Sequence, residues 1–197
     1  SKLNPQTAFG EDVITRMTYI QEHEDGLRVL NERVMGALNK ILSETCQMAN
    51  VNPSQVHEAT IVGNSVMHHV FLGLDPTHIG VSPFIPVVQQ DLNVKASELG
   101  LNIHPRGNVY TLPVIAGFVG ADTMGVVLSS QVDREEDLTL VIDIGTNGEI
   151  IIGNREFLTT GSCAAGSALE GAHIAHGMRA AGGSIEGVSI DPETLEV

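Results

Sequence analysis

The sequence predicts an α/β chain arranged as two lobes, and three observations carry the prediction. Stretches with apolar residues at helical spacing alternate with short apolar runs of strand length, in the order helix, strand, helix, strand, helix. A second series, strand, strand, strand, helix, strand, begins at residue 138. Between them lies the acidic "VDREED", residues 132–137, the single candidate linker, which sets a boundary near residues 131–137. One lobe is expected over residues 1–132 and the next over residues 133–197.

"FGEDVITRMTYIQEHEDG" places Val13, Met17 and Ile20 on one helical face and ends at Gly26. "LRVLNERVMGALNKILSETCQMA" continues the period through Leu27, Leu30, Val34, Leu38, Ile41 and Leu42, giving two consecutive amphipathic helices. "HEATIVGN" is a short strand, and residues 66–72 form a short helix closed by Gly73. From residue 75 to 106, Pro76, Pro83, Pro86 and Pro105 interrupt any long element, which predicts an excursion across a surface with short pieces of structure. "NVYTLPVIAG" returns to strand, and "FVGADTMGVVLSS" is a helix whose apolar face includes Val119, Met124, Val127 and Leu128. Two strands then flank Thr-Asn-Gly in "LTLVIDIGTNGEIIIGN", followed by a third, "REFLTTG". The Gly/Ala-rich helix "GSALEGAHIAHGM" and a strand hairpin in "GSIEGVSIDPETLEV" complete the order.

Composition narrows the functions. With 197 residues and 42% hydrophobic content the chain can bury one sizeable core or two small ones. Asp and Glu outnumber Lys and Arg by 24 to 10, a formal charge of −14 that repels nucleic acid and anionic membranes. An anionic ligand therefore needs backbone amides or a metal ion rather than a basic patch. Cys46 and Cys163 stand alone, outside any CxxC or Cys/His spacing, so neither a disulfide framework nor an iron–sulfur cluster is expected within this chain. No secretory leader and no apolar run of membrane-spanning length is present, so the expectation is a cytoplasmic protein.

Asp143 is the sharpest chemical signal, because it follows the apolar run 138–142 where strand meets turn. Gly145 and Gly148 would let amides approach an oxyanion, Thr146 and Asn147 add donors, and Asp143 could hold magnesium through water. The same letters are also an ordinary hairpin, since Asn-Gly between apolar strands is a frequent turn signal. "TTGSCAAGSALEGA" offers a second anion site, with Gly161, Ser162 and Gly166 ahead of a helix and Glu170 in its first turns, or else a plain strand-to-helix turn. Asp122 either stabilises a helix N-terminus or orients a water as general base. Asn64 reads as a helix cap and Asp12 with Arg16 as an ion pair at i and i+4. His68 and His69 point about 100 degrees apart on a helix, and His173 with His176 lacks a third ligand, so packing or capping is the expected role of the histidines.

"NPQTAFGEDVITR", "GNSVMHHVFLGLDP", "SPFIPV", "AGFVGAD", "VIDIGTNGEIIIG" and "GSALEGAHIAHGMRAAGGSIEGV", in this order, resemble the C-terminal region of the reductive activators of corrinoid proteins. Those are ferredoxin-linked ATPases of the superfamily that contains actin, sugar kinases and heat-shock chaperones. Local departures are Ser65 and Val66 in place of Thr-Thr, and Ser167, Ala168 and Leu169 in place of Pro-Ala-Phe. The resemblance implies actin-like, ribonuclease-H-like lobes with ATP and magnesium between them. It makes "DIGTNGE" the second phosphate motif, so that Asp143, Gly145, Thr146 and Asn147 meet the phosphates, and makes Asp122 the residue that positions the attacking water. It implies a first phosphate motif ahead of "NPQ" and an adenosine motif beyond residue 197, hence a fragment incomplete at both ends with weak ATP binding and poor turnover. The iron–sulfur cluster would sit in a separate N-terminal domain of the parent protein. The implied activity is ATP-dependent reduction of Co(II) to Co(I) on a partner, a corrinoid iron–sulfur protein or the corrinoid subunit of a methyltransferase, and a homodimer fits the reading. A small-molecule phosphotransferase using Asp122 as base, or a non-catalytic nucleotide-sensing module, stays open on the same fold.

Overall fold

The structure, a computed structural model, describes residues 2–10, 12–145 and 147–164. The expected helix at residues 166–178 and the hairpin at 183–197, with His173 and His176, lie outside the described residues. The chain divides into two compact units: Ser1–Asp143 together with Glu149–Ser162, and Ile144–Gly148 together with Cys163–Val197.

In the first unit, α1 (Val13–Glu22) begins where the Asp12 carboxylate accepts the Thr15 amide at 2.7 Å and the Thr15 hydroxyl returns to the Asp12 backbone, a reciprocal cap. Asp12 therefore serves the helix start, while its charge acts on Arg16, whose Nε donates to Gly10 O at 3.0 Å. α2 (Gly26–Met48) follows so tightly that a Cβ on Gly26 would meet Ile20 Cα at 2.8 Å. β1 (Glu58–Ile61) leads into α3 (Ser65–Leu72), capped by Asn64, whose Oδ1 accepts the Met67 amide at 2.9 Å, and stopped by left-handed Gly73 at φ 71°. The Asn64 cap and the Gly73 stop are those read from the sequence.

β2 (Leu92–Lys95), the one-turn α4 (Ala96–Leu99) and β3 (Asn108–Thr111) complete a three-stranded sheet in the order β1-β3-β2. β1 runs parallel to β3, with Ala59 opposite Val109, and β2 runs antiparallel to it, with Val94 opposite Val109. β2 corrects the expected element order, which placed no strand between residues 75 and 106. With Leu92 and Val94 half-buried and Asn93 and Lys95 exposed, it alternates over only four residues, too few for a period to stand out among prolines. Met35, Phe71, Ala96, Leu101, Ile103 and Val109 form the core beside this sheet, and Met17, Leu30, Val66, Val70 and Ile79 a second cluster where α1, α2 and α3 meet.

Two adjacent histidines tie α3 down. His69 donates from Nδ1 to Ser65 O at 2.6 Å and accepts the Val87 amide on Nε2 at 3.0 Å, which fixes a neutral tautomer and clamps the Pro-rich excursion. His68 is buried, and its Nε2 has no hydrogen-bond partner among the described residues. Both serve packing, as the sequence suggested.

α5 (Ala121–Ser130) follows β3, and the expected linker is a 3-10 turn, Val132–Arg134, anchored by a wholly buried Val132. The expected apolar face of α5 holds at Val127, whereas Leu128 is 54% exposed and Val119 precedes the helix. β4 (Thr139–Ile144), β5 (Asn147–Gly153) and β6 (Leu158–Ala164) form a second sheet in that order. Val141 and Ile151 pack with Val126, Val127 and Val132, so this face of the sheet is turned to α5. On the other face Leu140, Ile142, Ile150 and Ile152 are exposed. Among the described residues no helix is long and apolar enough to cross a membrane.

Burial holds the His68 pKa down to about 4, with His69 adding a smaller repulsion. The unfolded chain takes up this proton near pH 6.5 and the folded chain does not, so stability is full above that pH and falls as pH drops toward 4. Thermal unfolding midpoints measured across this window are expected to decline with acidity, and His68→Leu to flatten the decline.

Candidate functional site

Asp122 is placed by a close backbone seam. Its amide donates to Gly63 O at 3.2 Å, Ser65 Oγ donates to Ala116 O at 2.8 Å, and a Cβ on Gly120 would lie 2.6 Å from Asn64 Cα. The start of α5 is thus fixed against the start of α3, and Gly120 is required by that approach. In the first turn of α5, Asp122 Oδ1 accepts the Thr123 amide at 2.9 Å, a contact that favours the helix start.

Strand parity brings two further acids to the same helix. Asp143 shares its side of β4 with Val141, and Glu149 shares its side of β5 with Ile151; Val141 and Ile151 both pack against α5. Electrostatics agrees with the parity. The Asp122 carboxyl is pushed up by burial first and also by the charge of Asp143, against hydrogen bonds from backbone amides that favour its ionised form. The Glu149 carboxyl is likewise raised, chiefly by burial and also by Asp122 and Asp143, while the Ser162 hydroxyl, donating to its Oε1 at 3.0 Å, opposes the rise. The charge of Asp143 thus acts on Asp122, and both aspartates act on Glu149, on the α5 side of the second sheet. They are not arranged as direct metal ligands, for among the described residues no group of three His, Cys, Asp or Glu could hold an ion. A magnesium ion suits such a site because it keeps several waters, through which the carboxylates would hold it.

The structure therefore brings Asp122, Asp143 and Ser162 together in the first unit. Glu149 joins them, a residue that the sequence motif did not single out, although its strand parity with Ile151 and Asp143 was the available signal. Thr123 and Thr160 each bury a hydroxyl with no hydrogen-bond partner among the described residues, the first beside Asp122 and the second on the Ser162 side of β6.

Gly145, Asn147 and Gly148 belong to the second unit. Asn147 and Gly148 lie within β5, and Gly145 donates to Asn147 O at 2.9 Å, so the Asn-Gly pair is strand and not the turn centre that its sequence suggests. Neither glycine is needed for packing, as a Cβ on Gly145 or Gly148 would meet its nearest neighbour at 3.8 or 3.5 Å, an ordinary contact. Gly161 lies on β6 with open space where a Cβ would stand. Thr146, Gly166 and Glu170 lie outside the described residues.

A family described as "RACo middle region" matches residues 1–135, and one described as "C-terminal domain of RACo the ASKHA domain" matches residues 137–197. The chain is 40% identical over 191 residues, 97% of its length, to "Corrinoid activation enzyme RamQ" of Eubacterium limosum, of which it covers 32%. Over 73 residues, 37% of the chain and 14% of the relative, it is 37% identical to the reductase of the Co(II) methylated amine-specific corrinoid protein of Methanosarcina barkeri. Among solved structures, a "Reductive activator for corrinoid,iron-sulfur protein" superposes with a TM-score of 0.86 at 39% identity, covering 99% of this chain and 31% of that one. The chain thus spans about a third of the first curated relative and of the solved structure.

Two measurements test the site. Asp143→Asn is expected to lower the Glu149 pKa and Ser162→Ala to raise it, read by carbon-13 NMR titration of the Glu149 carboxyl. Gly120→Ala is expected to cost about 1–3 kcal/mol in denaturant unfolding, because the new methyl must displace backbone.

Proposed function

The chain belongs to the RACo family of reductive activators of corrinoid proteins, with the mixed α/β ASKHA fold, and from that premise we propose that it supplies the ATP-binding part of a parent protein that activates a corrinoid protein by ATP-dependent reduction of Co(II) to Co(I). The observation that carries the reading is the convergence of three carboxylates, Asp122, Asp143 and Glu149, on the α5 side of the second sheet.

In this proposal Asp143 holds magnesium through water, and Asp122 accepts a hydrogen bond from the attacking water and sets its direction. Bound magnesium would neutralise phosphate charge. Backbone amides of Gly145 and Gly148, with Thr146 and Asn147, meet the phosphates, and Gly161, Ser162, Gly166 and Glu170 border the nucleotide. Positioning and charge neutralisation are what phosphoryl transfer chiefly asks of a protein. Residues 1–132 and 133–197 are proposed as parts of successive ribonuclease-H-like lobes.

An iron–sulfur cluster does not fit this chain. Such clusters take four cysteine thiolates, whereas the chain has Cys46, buried in α2, and Cys163, on β6. The cluster is assigned to another part of the parent. The proposed partner is a corrinoid iron–sulfur protein or the corrinoid subunit of a methyltransferase, and a homodimer is compatible with the reading.

Calorimetry with magnesium-ATP tests this on the chain and on the full-length parent. Binding by the parent that falls at least tenfold in Asp143→Ala is expected, together with corrinoid reduction that stops when ATP is withheld. Equal reduction with and without ATP would overturn the proposal.

A further inference from the structure

Thr123 follows Asp122 in the first turn of α5 and is only 1% exposed, yet its hydroxyl has no hydrogen-bond partner among the described residues. A buried hydroxyl without a partner lowers stability, and valine fills nearly the same space without that cost. Packing therefore accounts for the size of this side chain and not for its oxygen.

Helical spacing sets the direction in which Thr123 faces. It lies three residues before Val126 and four before Val127, so the three share one stripe of α5, and the two valines pack with Val141 and Ile151 of the second sheet. A helical turn rises about 5.4 Å and two strand residues about 6.6 Å. One turn back from the valines, the stripe is level with residues two positions from Val141 and Ile151. The charge that Asp143 exerts on Asp122, and Asp122 on Glu149, sets which positions these are: Asp143 on β4 and Glu149 on β5. Ser162 closes the β6 side of this level, donating to Glu149 Oε1 at 3.0 Å. The Thr123 hydroxyl is thus buried at the level of the three acids. Because Asp122 Oδ1 accepts the Thr123 amide at 2.9 Å, the Asp122 carboxylate is also turned toward Thr123.

We propose that Thr123 is a positioning residue for ATP hydrolysis, its hydroxyl donating to the water that Asp122 directs. This rests on the ATP-binding reading given above. A carboxylate alone leaves a water free to turn about the single hydrogen bond it accepts. A hydroxyl beside it removes that freedom, because one lone pair of the water accepts from Thr123 while one of its hydrogens goes to Asp122. The second lone pair is left for the γ-phosphorus. As the new oxygen–phosphorus bond forms, the bond to the bridging oxygen breaks with its electron pair passing to ADP, and the proton of the water leaves through Asp122.

The test compares Thr123→Val and Thr123→Ser in the full-length parent. Thr123→Val is expected to lower kcat for ATP hydrolysis by more than about tenfold, as loss of an oriented donor does, while the calorimetric Kd for magnesium-ATP stays within about twofold. Thr123→Ser, which keeps the hydroxyl, is expected to retain most of the turnover. A readout without ATP accompanies these: the thermal midpoint of Thr123→Val is expected not to rise, since a hydroxyl that holds a water is not an unpaired group. Unchanged turnover in Thr123→Val, a loss of ATP affinity as large as its loss of turnover, an equal loss in Thr123→Ser, or a raised midpoint in Thr123→Val would each overturn the role of Thr123 and leave the ATP reading standing. A wild-type parent that fails to bind ATP would overturn both.

Discussion

The candidate site rests on a steric constraint: two backbones come so close at Gly120 and Asn64 that no side chain fits between them. That approach brings the Gly63 carbonyl to the Asp122 amide and the Ser65 hydroxyl to the Ala116 carbonyl. Each bond is worth only about 1 kcal/mol net, yet together they fix the origin of α5 relative to the end of β1. Everything further along α5 inherits this placement, including Val127, which packs with Ile151 and so sets the depth at which the second sheet presents its acids.

From that placement comes an electrostatic tension. An acid at a helix start is stabilised by free amides and the helix dipole, and Asp122 has such support from Thr123. Burial and Asp143 act against it, and Glu149 is raised by both aspartates. A fold optimised for stability alone would separate these groups. A cation held near them through water, the role proposed above for magnesium, would relieve that repulsion.

Local grammar announced the elements whose causes are local. Asn64 before a helix, Gly73 after it and Asp143 at a strand end are each decided by a few neighbouring residues, and the alternating series of helices and strands followed. β2 escaped because four residues set in a proline-interrupted stretch carry little period. The Asn-Gly pair misled as a turn, since Asn147 and Gly148 are drawn into β5 by pairing that a dipeptide cannot report. Glu149 was legible only after two strands had been put side by side. Its role depends on parity across a sheet and on Ser162, thirteen positions later in the chain.

The exposed face formed by Leu140, Ile142, Ile150 and Ile152 has a colloidal consequence. Uncovered aliphatic strands adhere to one another, and what keeps such molecules apart in dilute buffer is long-range repulsion between bodies of like sign. An excess of fourteen negative charges supplies that repulsion. Ionic strength shortens its reach to roughly 10 Å at 0.1 M salt, so the acidity that governs solubility here is most effective in the media least like a cell. Handling of the isolated chain is accordingly governed by salt and concentration as much as by temperature.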